Sequence, residues 1–186
     1  MDETDRNQER AGREQARVLI VEPKRDYLPV LARRIAEDGY RVVTADGPHA
    51  AMAELHRAPA SLVLAELMMP NNGGVELVRM IRDDSALRDI PVLMITARSD
   101  RDAEVRAIEA GADATIRKPF HMEVLVARLG REIERALAMA RLRKDNATLD
   151  ARVVERSIAL GELRAKWLET EAERARLQRL VANAPH

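Results

Sequence analysis

Residues 62–70 read Leu62-Val63-Leu64-Ala65-Glu66-Leu67-Met68-Met69-Pro70, a continuous aliphatic run that ends on an acidic residue. A run of this kind, apolar without alternation, is expected of a strand covered on both faces. Similar runs flank it: Val18-Leu19-Ile20-Val21 and Val42-Val43-Thr44 before, Val92-Leu93-Met94-Ile95 and Ala114-Thr115-Ile116 after. Helical periodicity fills the gaps. Leu28, Leu31 and Ile35 share one face, with Gly39 as a stop. Val75, Val78 and Ile81 with Leu77 form a second face, and Val105 and Ile108 precede Gly111. Strand and helix alternating about five times predict an α/β fold: a doubly wound, five-stranded parallel sheet with five helices.

Composition bounds the rest. The chain has 186 residues, 33% of them charged and only 2% aromatic, with 31 basic and 31 acidic side chains and no cysteine. Zero cysteine excludes disulfide scaffolds, thiol catalysis and cysteine zinc sites, and fits a reducing, cytoplasmic setting. Zero net charge argues against a broadly basic nucleic-acid binder. No apolar run approaches the roughly 20 residues of a membrane span, and the polar start is no signal peptide. Residues 1–16 carry no large apolar side chain after Met1, so a disordered tail is expected there.

From 121 to 183 there is no proline, and the glycines are Gly130 and Gly161. The first turns, through Val124, Leu125, Leu129 and Ile133, read as a packed helix that completes the globular part near residue 130. A heptad pattern over 131–183 then places Leu142, Leu149, Leu163 and Leu177 in one seam row and Val153, Leu160, Trp167 and Val181 in the other. Asn146, Arg156, Thr170 and Arg174 interrupt these rows, and arginine and glutamate flank them. Such a narrow seam needs a partner helix, which predicts a parallel coiled-coil homodimer. A continuous helix here would run about 90 Å; a helical hairpin packed on the globular part is the alternative.

In an open parallel sheet, ligands sit at the carboxyl ends of the strands. Glu22, Pro23 and Lys24 follow the first strand, Glu66 ends the third, Thr96 the fourth, and Lys118-Pro119-Phe120 the fifth. Two carboxylates, a hydroxyl and a lysine at one mouth suit an anion or phosphoryl site.

With these residues in place, the chain over 17–130 resembles the receiver domain of bacterial response regulators. The segments that carry the resemblance are VLIV at 18–21, LVLAELMMP at 62–70, PVLMITA at 91–97, AIEAGADA at 107–114 and KPF at 118–120. It implies a flavodoxin-like fold, a cytoplasmic role in two-component signal transduction, and a sensor kinase or downstream signalling domain as partner. It also implies a phosphorylated aspartate where this chain has Glu66. An acidic pair that holds Mg²⁺ falls on Glu22 and Pro23, and an aromatic switch residue falls on Thr115. The Thr96 and Lys118 positions are kept.

These departures imply a pseudo-receiver with no catalytic site. Pro23 brings neither a carboxylate nor an N–H, so any Mg²⁺ site at Glu22 and Glu66 is weak or absent. Glu66 is one methylene longer than aspartate, a displacement of about 1 Å that can cost roughly 100-fold in rate. It is expected to pair with Lys118. Thr115 has no ring to swing between two positions. An inert scaffold, a standing or ligand-responsive bias, and phosphotransfer to Glu66 all remain open at this point. So does a purely structural dimerisation or localisation module.

His49, His56 and His121 are solvated singles, and Asn71-Asn72-Gly73-Gly74 is a strand–helix loop without the lysine of a phosphate loop. Residues 146–160 resemble signalling helices, and 177–186 resemble the entry to a PAS domain. This raises the expectation of a longer parent protein, such as a histidine kinase or diguanylate cyclase.

Overall fold

The structure is a computed structural model that describes residues 14–24, 26–100 and 102–182, without the side chains of 177, 178 and 180–182. The tail expected over 1–16 therefore lies, as far as residue 13, outside the described residues. Five strands are present: β1 Arg17–Val21, β2 Arg41–Ala45, β3 Leu62–Glu66, β4 Val92–Thr96 and β5 Ala114–Arg117. Five helices follow them in alternation: α1 Leu28–Glu37, α2 Pro48–Arg57, α3 Gly73–Asp83, α4 Ala103–Glu109 and α5 Met122–Ala182. The sheet is parallel throughout and ordered β2-β1-β3-β4-β5. It is the doubly wound α/β arrangement that the aliphatic runs predict.

Burial explains the runs of the three central strands. β3 and β4 are buried at every residue, and β1 at all but its first. Alternate side chains serve opposite faces. Leu19, Val21, Val63, Ala65, Val92 and Met94 join one core with α2, α3 and α4. Val18, Ile20, Leu62, Leu64, Leu93 and Ile95 join another with Leu31 and Ile35 of α1 and Leu125 and Leu129 of α5. Each fully buried leucine or isoleucine contributes about 1.5–3 kcal/mol relative to an exposed one. β2 lies at the sheet edge and is only partly covered.

The connections carry specific backbone demands. Gly39 and Gly111 have φ of 96° and 103° and end α1 and α4 in the left-handed region. Asn71 and Asn72 sit there too, at φ 55° and 59°, in the one-turn 3₁₀ helix Pro70–Asn72 that precedes α3. Gly74 matters for another reason: a Cβ on it would stand 2.6 Å from the Leu67 Cα, so α3 can start tight against the end of β3 only with glycine. Helix α4 departs from simple periodicity. It buries Ala103 and Ala107, while Val105 and Ile108 are exposed.

The chain divides into two compact units, Met1–Ala138 and Met139–His186. The second consists, among the described residues, of the remainder of α5, with every described side chain exposed. Leu142, Leu149, Val153, Leu160, Leu163 and Trp167 are each between 55% and 66% exposed. Among the described residues α5 is one uninterrupted helix from Met122 to Ala182, without the turn that a hairpin needs. No helix among the described residues is long and apolar enough to cross a membrane.

Candidate functional site

The strand order reverses between β1 and β3, because β2 lies on one side of β1 and β3 to β5 on the other. At such a switch point the loops after neighbouring strands part, leaving a crevice at the carboxyl ends. Glu22 leaves β1 and Glu66 closes β3 at this crevice, and Lys118 reaches it from the end of β5.

Glu66 is 5% exposed. Its Oε1 accepts the Met68 backbone N–H at 3.2 Å, and its Oε2 accepts the Lys118 ammonium at 2.5 Å. Glu22 is 1% exposed, and its Oε1 accepts the Lys24 N–H at 3.1 Å. The Glu22 Oε2 has no hydrogen-bond partner among the described residues and stands 3.6 Å from the Lys118 Nζ. One ammonium thus serves two buried carboxylates. The backbone holds it there: the Lys118 N–H donates to the Thr96 carbonyl at 2.8 Å, tying β5 to β4 at the mouth.

Burial pulls the Lys118 ammonium toward its neutral form. The hydrogen bond to Glu66 and the charges of Glu66 and Glu22 outweigh this, so its pKa lies above the ordinary lysine value. The ring of Tyr27 lies 4.7 Å from the Nζ and adds a cation–π contact.

Thr96 is fully buried, but its hydroxyl donates along the sheet to the Ile116 carbonyl at 3.4 Å. Thr115 lies in β5, half-buried, and its carbonyl accepts the Arg128 guanidinium at 2.5 Å. Pro23 follows Glu22 and supplies no ligand atom from its side chain. As an Mg²⁺ site the arrangement fits poorly. Mg²⁺ seeks near-octahedral oxygen ligation, whereas both carboxylates here face an ammonium, and no group of three potential ligands occurs among the described residues.

Two placements go beyond the sequence reading. Tyr27 belongs to the site, and its only signal in the sequence is that it is one of two tyrosines in an aromatic-poor chain. His56 is on the solvated surface as expected, but it is not without a partner: its Nε2 lies 2.7 Å from the Asp84 Oδ2. The pair spans α2 and the end of α3, 28 residues apart, a separation that helical spacing does not reveal. Leu142, Leu149, Val153, Leu160, Leu163 and Trp167 all lie in α5, at successive separations of 7, 4, 7, 3 and 4 residues. The side chains of Leu177 and Val181 lie outside the described residues.

Residues 18–130 match the response regulator receiver domain family. The phosphate regulon transcriptional regulatory protein PhoB of Escherichia coli is 33% identical over 124 residues, covering 67% of this chain and 54% of PhoB. The sensory transduction protein RegX3 of Mycobacterium tuberculosis is 38% identical over 113 residues, covering 60% of this chain and 48% of RegX3. The chain thus spans about half the length of the curated relatives it matches. Among solved structures, the signal receiver domain of a signal transduction histidine kinase from Syntrophus aciditrophicus is similar, with a TM-score of 0.60 and 30% identity. That match covers 64% of this chain and 90% of the other. The chemotaxis protein CheY4 of Vibrio cholerae gives 0.59 and 27%, covering 63% and 98%.

Proposed function

The chain belongs to the response regulator receiver family, and from that premise we propose that it is a pseudo-receiver, one that biases two-component signalling without accepting a phosphoryl group. The observation that carries this reading is the ammonium of Lys118 held between Glu66 and Glu22. In-line phosphoryl transfer needs a free nucleophilic oxygen and a cation to neutralise the transferring group. At this site the Glu66 Oε2 is engaged at 2.5 Å, and the position beside Glu22 is a proline. The paired state is therefore the resting state, and the domain acts as a fixed docking and relay element for a sensor kinase or a downstream domain.

The relay runs through α5. Its beginning packs in the receiver core through Leu125 and Leu129, and its continuation carries an exposed apolar seam. Two copies pairing in parallel along this seam form a coiled-coil homodimer. The polar interruptions at Asn146, Arg156, Thr170 and Arg174 lower its stability, and a weak seam is readily shifted in register by a partner that prefers one arrangement. The setting is the cytoplasm, as for a module that answers to a sensor kinase.

Incubating the full chain with acetyl phosphate and Mg²⁺, followed by intact mass, tests the first part. The unmodified mass is expected. A stoichiometric phospho-adduct mapped to Glu66 would overturn the reading.

A further inference from the structure

Beside the ion pair lies an open cavity of about 550 Å³, bounded by Lys24, Tyr27, Arg98, Lys118 and Phe120. We propose that this cavity binds a small organic anion carrying a flat ring. The volume falls within the range of ligand pockets, about 300–1,000 Å³. Its walls bring two of the chain's few aromatic rings, Tyr27 and Phe120, to one opening together with three cationic side chains. Aromatic walls give a flat ring an apolar, polarisable surface to pack on.

The charges decide what else the ligand carries. Lys118 is already matched by Glu66 and Glu22. Lys24 and Arg98 are exposed at the cavity and form no ion pair with any described residue. Two unmatched cations at one opening favour a carboxylate or phosphate, and the arginine fork suits either in a bidentate mode. Inorganic phosphate would leave the aromatic walls unused, and a neutral ring would leave the cations unused.

The site also has a route to the receiver. Lys118 lines the cavity and holds Glu66, so an occupant that attracts the ammonium competes with Glu66 for it. That coupling rests on the reading of Glu66 as a paired residue rather than a phosphoacceptor; the binding site does not.

The test titrates the full chain with 1-naphthyl phosphate by calorimetry, with inorganic phosphate and 1-naphthol as single-feature probes. Two variants accompany it, Lys24→Gln with Arg98→Gln, and Phe120→Leu, each checked for an unchanged melting temperature. The aromatic phosphate is expected to bind below millimolar, at least about tenfold tighter than either single-feature probe, and about tenfold weaker in each variant; a tenfold step is about 1.4 kcal/mol. No binding at millimolar concentration, binding unchanged in both variants, or equal binding of inorganic phosphate would each overturn the site. Intact mass after phosphodonor treatment of the same sample separates the two proposals. An adduct on Glu66 counts against the pseudo-receiver alone, and failure of the probe to bind counts against the cavity alone.

Discussion

The Lys118 Nζ lies 2.5 Å from the Glu66 Oε2 and 3.6 Å from the Glu22 Oε2, so a single ammonium sits against two carboxylates that are otherwise shut off from water. Removing it leaves both carboxylates buried without a cation. Leaving a buried acceptor unpaired costs about 1–3 kcal/mol, more when it is charged. Lys118→Met is therefore expected to lose about 2–4 kcal/mol in urea unfolding. Lys118→Met combined with Glu66→Gln should recover at least part of that loss, because one of the stranded charges is gone. Equal destabilisation of the single and double variants would show that the pair is not what holds the crevice together.

The raised pKa of Lys118 has its own signature. A lysine whose folded value exceeds its unfolded value stabilises the fold fully below the unfolded value, and the benefit fades as pH rises through the folded one. The stability gap between the parent chain and Lys118→Met should therefore hold through neutral pH and begin to close only above about 10.5. Denaturant titrations at stepped alkaline pH read this directly.

At the acid end, Asp100 is held below the ordinary carboxylate range, first by its hydrogen bond from the Arg106 guanidinium and then by that group's charge. The sign is opposite. The contribution is present above the ordinary value of 3.8 and is lost as pH falls through the lower folded value. Asp100→Asn should melt below the parent chain at neutral pH, and the two melting curves should converge at pH values below 3.8. The pair is partly open to solvent, so the gap should be small and shrink in high salt.

Legibility in the sequence differs by element. The central strands β1, β3 and β4 can be placed because covered strands leave uninterrupted aliphatic runs, and Gly39 and Gly111 mark helix ends because each adopts a positive φ. The convergence of Glu22, Glu66 and Lys118 follows from strand-end logic, since the ends of neighbouring parallel strands share one mouth. Side-chain direction does not follow. Thr96 turns its hydroxyl to the Ile116 carbonyl across the sheet, and Tyr27 brings its ring to Lys118 from a loop 91 residues away in sequence. Helix α4 hides its buried face because alanine, not valine or isoleucine, makes its close contacts. Pairings such as His56 with Asp84 depend on how two helices are set on the sheet, and no local pattern encodes that.

The departures at the crevice can be reversed one by one. Glu66→Asp shortens the carboxylate by one methylene, withdrawing its oxygen from Lys118 by about 1 Å, a displacement that matters roughly 100-fold in a positioned reaction. Pro23→Asp adds a carboxylate beside Glu22, which Mg²⁺ ligation favours. Neither change alone is expected to give more than a trace of phospho-adduct with acetyl phosphate. The double variant should give an adduct on the shortened carboxylate at the end of β3 that depends on Mg²⁺, read by intact mass with and without chelator. A double variant as inert as the parent would mean that the barrier lies elsewhere in the crevice.

The seam of α5 offers the most direct check on the relay. Leu149, Leu160 and Leu163 are more than half exposed in the single chain and lie 11 and 3 residues apart in the two adjoining rows of the heptad pattern on α5. Burying each leucine against a partner helix is worth about 1.5–3 kcal/mol, and in a two-fold dimer each substitution removes two of them. The parent chain is therefore expected to sediment as a dimer at micromolar concentration. Replacing all three leucines with serine should yield a monomer at the same concentration. The receiver's circular dichroism should survive, because its core draws on Leu125, Leu129 and Ile133 at the start of α5 rather than on the seam. A parent chain that sediments as a monomer would remove the dimer from the mechanism. A serine variant that stays dimeric would place the interface on some other surface.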